Sequence, residues 1–167
     1  KKNLRPTSSK VKLAIFNILI HRFNWYEWCN NYSMIDIFAG TGAISIEAIS
    51  RGIKSSTLIE KDYDTYELLA ENINKLQLTN FTNLINQDFL SIKNFPEKYK
   101  LCYIDPPFNE DLTNLTIEKA IDDNILEKKA LLVCETMKNY KLKSSFEKYI
   151  LLSKIYGNLQ INFLSLG

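Results

Sequence analysis

The sequence predicts an α/β fold: a mostly parallel sheet with helices on both faces. Three observations predict it. Short apolar runs suited to strands alternate with amphipathic stretches of helical length. A Gly-x-Gly turn, Gly40-Thr41-Gly42, follows the first of those runs and opens a helix. Near the C-terminus two β-rich runs are joined only by Gly157-Asn158, too close for a crossover helix, so they form a hairpin and one strand runs antiparallel.

Residues 8–23 form a leading helix with Val11, Ile15, Ile18 and Leu19 on one face. A strand at 34–38 (MIDIF) leads through the glycine turn to a helix at 43–51, and a strand at 56–60 (STLIE) leads to a helix at 62–77. A short strand at 82–86, a strand at 100–104 (KLCYI), a helix near 112–122 and a strand at 130–135 (ALLVCE) follow. The hairpin arms, 149–156 and 159–166, complete the chain. No repeat, low-complexity tract or linker interrupts the order. With 167 residues, 46% of them hydrophobic, the sequence suits a single domain over 1–167, in which 1–23 are an N-terminal substrate-side segment and helix.

Composition narrows the function classes. Three cysteines, Cys29, Cys102 and Cys134, are far apart and odd in number, which fits a reducing cytosol and a cytoplasmic location. Neither a membrane span nor a secretory signal is visible. A net charge of +2 does not by itself announce a nucleic-acid binder, although Lys1, Lys2, Arg5, Lys10 and Lys12 gather at one end. The only histidine, His21, has no partner motif, so Ser-His or Cys-His catalysis and a His-based metal site have little support. It reads as a surface residue at a helix end. No P-loop pattern occurs.

The glycine turn poses a specific problem. In a dinucleotide fingerprint the third glycine, which lets helix and strand close beside a pyrophosphate, falls at position 45, and that residue is Ser45. A ligand without a pyrophosphate does not need it, and S-adenosylmethionine is such a ligand. It asks for a close-approach turn, a carboxylate for the ribose hydroxyls and a group for the adenine edge. Glu60, twenty residues after Gly40, ends the second strand where a carboxylate can accept from both hydroxyls, although NAD would use it equally well. Asp88 can accept from the adenine amine, and Phe89 offers a face for the ring. Glu60 and Asp88 also suit solvated strand-end acids, and Phe89 a core position. Asp36 precedes the turn, where it can orient the backbone or reach the methionine end of the ligand.

After the fourth strand comes Asp105-Pro106-Pro107-Phe108. Proline has no N–H, so the segment presents a carboxylate and carbonyls with few donors. Such a surface suits an exocyclic amine, whose two N–H groups can point at Asp105 and at the Pro106 carbonyl while Phe108 stacks on the base. Acceptors on both N–H groups help localise the nitrogen lone pair toward a methyl donor. A plain Pro-Pro loop stop is the alternative for the tetrapeptide alone.

The segment LRPTSSKVKLAIFNIL (4–19), then DIFAGTGAISIEAISRG (36–52), TLIEKD (57–62) and DPPF (105–108), resemble in content and order the bacterial 16S ribosomal RNA guanine-N2 methyltransferases, within the Rossmann-like S-adenosylmethionine enzymes. The glycine turn and DPPF are shared with other amino-methylating enzymes, DNA adenine methyltransferases included. The N-terminal segment is what points to ribosomal RNA. The resemblance implies a seven-stranded sheet and S-adenosyl-L-methionine as cofactor. The candidate cofactor-binding set is Asp36, Phe38, Ala39, Gly40, Thr41, Gly42, Glu60, Lys61, Asp88 and Phe89. Asp105, Pro106, Pro107 and Phe108 surround the target guanine, and Arg5, Thr7 and Lys10 are candidates to contact RNA. The expected partner is 16S ribosomal RNA in an assembling small subunit, met by a monomer that uses no metal and no membrane. Rival readings are an amino methyltransferase acting on adenine or on another RNA or DNA, a non-enzymatic RNA-binding assembly factor, and an NAD-dependent oxidoreductase.

Overall fold

The computed structural model describes residues 7–108 and 111–167. Its first helix, α1 (Ser9–Arg22), starts where the Ser8 hydroxyl accepts from the Val11 N–H at 3.2 Å, and it buries Val11, Ile15, Phe16 and Leu19. That spacing gives one apolar stripe. Then follow α2 (Trp25–Trp28), β1 (Ser33–Asp36), α3 (Ala43–Ser50), β2 (Ser55–Ile59) and α4 (Tyr63–Lys75). The remainder is β3 (Thr82–Ile85), β4 (Tyr99–Ile104), α5 (Thr113–Asp122), β5 (Leu126–Met137), α6 (Ser144–Glu147), β6 (Ile150–Tyr156) and β7 (Leu159–Ser165).

The seven strands form one sheet in the order β3-β2-β1-β4-β5-β7-β6, and only β7 runs against its neighbours. The expected α/β class, strand number and antiparallel hairpin strand are all present. Side chains alternate across the sheet and give it two apolar faces. Met34, Leu101, Tyr103, Val133 and Phe163 meet α1, α2 and α3 on one face; Ile35, Cys102, Ile104, Leu132 and Cys134 meet α5 and α6 on the other. Right-handed crossovers explain the split. From β1 the chain steps through β2 to β3 in one direction, with Leu69 and Ile73 of α4 packed on Leu58 of β2. The step from β4 to β5 goes the other way and places α5 behind the sheet. The strand order therefore reverses between β1 and β4, and such a switch point is where open α/β sheets bind ligands.

Some elements differ from their expected bounds. β5 begins at Leu126 rather than 130, because its first residues are joined to β4 across a register shift between Tyr99 and Leu101, with Lys129 at φ 55°. Exposed Lys128 and Lys129 hide that start from an apolar scan. Helices α2 and α6 and the 3-10 turns Thr79–Phe81 and Phe89–Ser91 were not expected, being too short for a helical period to register. Among the described residues no helix is long and apolar enough to cross a membrane.

Candidate active site at the carboxyl ends of the strands

The chain leaves β1 through a turn that needs both glycines. Gly40 and Gly42 have φ of 54° and 79°, a region that residues with a Cβ rarely adopt. A Cβ on Gly42 would lie 2.6 Å from Leu69 Cδ1 and 3.3 Å from Leu58 Cδ2, so its absence lets α4 close against β2. Ala39 is buried, its N–H bonded to the Ile59 carbonyl at 2.9 Å, while Phe38 and Thr41 are half-buried. Glu60 binds the turn from the end of β2: Oε2 accepts from the Gly40 N–H at 3.1 Å and Oε1 from the Asp62 N–H at 2.8 Å. Asn86, after β3, donates to the Glu60 carbonyl at 2.8 Å, so three strand ends form one connected rim.

Ser45 is fully buried and has a partner on each side. It accepts from the Ser56 hydroxyl at 2.8 Å and donates to Asp36 Oδ2 at 3.1 Å. A glycine there would leave Asp36 with no donor. Asp36 is 2% exposed, and its Oδ1 has no hydrogen-bond partner. Burial pushes its carboxyl up to about 7 against the Ser45 bond, with the charge of Glu60 adding to the rise. A buried acceptor with a free oxygen beside a close-approach turn fits a ligand carrying an amine or another cationic group.

At the third strand end the Lys61 ammonium lies 3.0 Å from Asp88 Oδ2, and Asp88 Oδ1 accepts from the Leu90 N–H. Partial burial raises the Asp88 carboxyl, but the Lys61 hydrogen bond, the Leu90 N–H and the Lys61 charge outweigh it and leave it below its usual value. Phe89 corrects an expectation. It is 2% exposed and packs on Phe95 at 5.6 Å, with Lys119 Nζ 5.8 Å from its ring centre on the other side. Its ring belongs to the core rather than standing open for a base, because α5 and the 92–95 segment close over it.

Asp105 follows β4 and is half-buried; Pro106 is buried, while Pro107 and Phe108 are exposed. Phe108, 45% exposed, has the open face that Phe89 lacks. The Thr7 side chain lies close enough to Asp105 and Tyr103 to favour the ionised form of each, so it faces the acceptor segment, while Lys10 is exposed on α1. Arg5 lies outside the described residues. Burial holds Asp105 well above the usual carboxylate range, the charges of Glu135 and Asp36 adding to the effect and the Thr7 side chain opposing it. The segment that leads into α5 is braced from the turn after β5: Tyr140 donates to Asp111 Oδ1 at 2.5 Å and accepts from Asn114 Nδ2 at 2.9 Å.

Sequence reasoning missed three of these residues and saw Ser45 only as the departure from a third glycine. Ser56 looked like an ordinary small residue, Tyr103 like core, and Glu135 merely closed the run ALLVCE. A carboxylate at the end of an otherwise apolar strand was the one available signal for Glu135.

Comparison with known proteins follows the same outline. The profile of a family described as conserved hypothetical protein 95 matches residues 1–165. The chain is 33% identical over 134 residues to a ribosomal RNA small subunit methyltransferase D of Buchnera aphidicola, covering 80% of this chain and 66% of that protein. The protein of the same name from Haemophilus influenzae is 31% identical over 143 residues, covering 83% and 71%. A solved structure described as a putative methylase from Haemophilus influenzae superposes with a TM-score of 0.77 at 27% identity, over 93% of this chain and 96% of that one.

Proposed function

The chain belongs to the conserved hypothetical protein 95 family, and on that premise we propose that it transfers a methyl group from S-adenosyl-L-methionine to the N2 amine of a guanine in 16S ribosomal RNA. The observation that carries the reading is the pairing of two acidic groups across the switch point: Asp36, beside the glycine turn after β1, and Asp105, opening the donor-poor segment after β4. Relatives named as ribosomal RNA small subunit methyltransferases support the substrate class.

The residues fit the cofactor. Among the described residues neither Asp36, Asp105 nor Glu135 is ion-paired with a Lys or Arg, so this end of the sheet favours a cationic sulfonium over a pyrophosphate. Asp36 Oδ1 would take the amino group. The turn from Phe38 through Ala39, Gly40, Thr41 and Gly42 would line the close approach, Glu60 would accept from the ribose hydroxyls, and Lys61 and Asp88 would border the adenine. When bound, S-adenosylmethionine supplies an electrophilic methyl group. Asp105 and the Pro106 carbonyl hold the guanine N2 hydrogens and aim the nitrogen, while Phe108 stacks on the base. Isothermal calorimetry tests the cofactor assignment: S-adenosylmethionine binds and NAD does not, whereas binding of NAD alone refutes it.

Glu60→Ala is expected to weaken S-adenosylmethionine binding by about 1.5–3 kcal/mol, since an ionised acceptor for two hydroxyls is lost. The same calorimetry reads it, and an unchanged dissociation constant removes Glu60 from the site.

On the RNA side, Arg5 and Lys10 lie within the N-terminal segment that carries the ribosomal signal. Neutralising both is expected to lower RNA affinity and reduce its salt dependence by about one unit of slope per lost phosphate contact. An unaltered slope would assign these residues to the fold instead. We place the protein in the cytoplasm as a monomer acting on an assembling small subunit.

A further inference from the structure

A second buried carboxylate stands beside the acceptor segment, and the chemistry above gives it no task. Glu135 lies one residue beyond Cys134 on β5, and Asp105 lies one residue beyond Ile104 on β4; Ile104 and Cys134 are paired in the parallel register. The two acids are therefore lateral neighbours on adjacent strands, whose axes lie about 4.8 Å apart. Glu135 is 3% exposed, and its Oε2 accepts from the buried Tyr103 hydroxyl at 2.6 Å. The Thr7 side chain, from the N-terminal segment, lies beside Tyr103 and Asp105. Among the described residues the remaining titratable group that acts on Asp105 is Asp36 on β1.

Methylation of an amine poses a proton problem. The C–S bond breaks with its electron pair left on sulfur, the N–C bond forms, and the nitrogen, now cationic, must release one N–H proton. A carboxylate of ordinary acidity is a weak acceptor near neutral pH. Resting on the methyl-transfer reading above, we propose that Glu135, its charge fixed by Tyr103, is a positioning residue that makes Asp105 the acceptor of that proton. The proton passes from N2 to Asp105 and from there to water as product leaves.

Like charges on neighbouring strands ionise in two separated steps. Burial raises Glu135 as well as Asp105, and the Tyr103 hydroxyl that Glu135 accepts from favours the ionised form of Glu135. Pairing Asp105 with a fixed negative charge thus brings its proton affinity toward the working range.

The test is a carboxyl NMR titration of the ligand-free protein with 13C-labelled Asp and Glu side chains. In Glu135→Gln the Asp105 midpoint is expected to fall by about one unit or more. In Asp105→Asn the Glu135 midpoint falls by the same interval, because coupling is reciprocal. With RNA and methyl donor, the acidic limb of kcat/KM moves to lower pH in Glu135→Gln, a shift that a merely structural role would not produce. An Asp105 midpoint or acidic limb that stays in place contradicts the proposal. Should Glu135→Gln fail to fold, the Asp105→Asn titration decides from the other side. The titration needs no substrate: independent midpoints sink the pair and leave the methyltransferase reading standing, while coupled midpoints with no methylation of RNA do the reverse.

Discussion

Asp105→Ala is expected to lower turnover by about 10²–10⁴-fold while leaving the affinity for S-adenosylmethionine nearly intact. In the proposed site the methyl donor would be held mainly by the ends of β1, β2 and β3, where Asp36, Gly40, Glu60 and Asp88 lie, and Asp105 is on the far side of the switch point. Losing an interaction that matters only in the chemical step lowers kcat and kcat/KM together. The variant should fold, since it removes an acid whose ionisation is opposed by burial and by its acidic neighbours. Asp105→Asn is the sharper comparison. Its amide keeps an acceptor oxygen for the guanine amine and so retains partial activity, but it cannot take up a proton. Single-turnover kinetics with calorimetry separates the outcomes; loss of cofactor binding in Asp105→Ala, or undiminished methylation, would place the catalytic centre elsewhere.

The second large effect runs toward stability. Asp36 titrates from 3.8 in the unfolded chain to about 7 in the fold, so between those values the folded state binds more protons than the unfolded one. Stability contributed by this group is complete below about pH 4, is lost as pH rises through neutrality, and levels off above about 7. A displacement of roughly three units corresponds to a ceiling of about 4 kcal/mol. Asp36→Asn resembles the protonated acid, so its stability should match the parent near pH 4 and exceed it by up to about 4 kcal/mol at pH 8. On the proposed assignment its affinity for S-adenosylmethionine should fall, because the oxygen left without a hydrogen-bond partner can no longer carry a charge. Denaturant melts across pH measure the first effect and calorimetry the second. Equal stabilities at pH 8 would mean that Asp36 is not held against its own ionisation, and a site under no such strain gives it no reason to seek a cationic ligand.

Most of the frame was legible because it rests on local periodicity. The start of α1 follows from the Ser8 cap and the Val11-Ile15-Leu19 stripe, and the strands from runs such as KLCYI. The antiparallel β7 follows from the shortness of Gly157-Asn158. What sequence could not give are properties that arise when distant segments meet. Ser45 reads as a defect in a glycine fingerprint until Ser56, eleven residues on, and Asp36 are seen on either side of it. Phe89 reads as an open aromatic until Phe95 and Lys119 cover it. Thr7 sits among basic residues in the chain, yet its side chain turns inward to Asp105. Glu135 gains its hydrogen-bond partner from Tyr103, thirty-two residues earlier on the neighbouring strand. The shortage of donors in the tetrapeptide after β4 was legible because a proline lacks its N–H wherever the chain places it.

The most direct test of the central claim is nucleoside analysis of small-subunit RNA incubated with the purified protein and isotopically labelled S-adenosylmethionine. The account predicts label in N2-methylguanosine at one position, dependent on Asp105. Label in N6-methyladenosine would contradict the assigned base, and no label in any RNA, with S-adenosylmethionine bound, would contradict the assigned reaction.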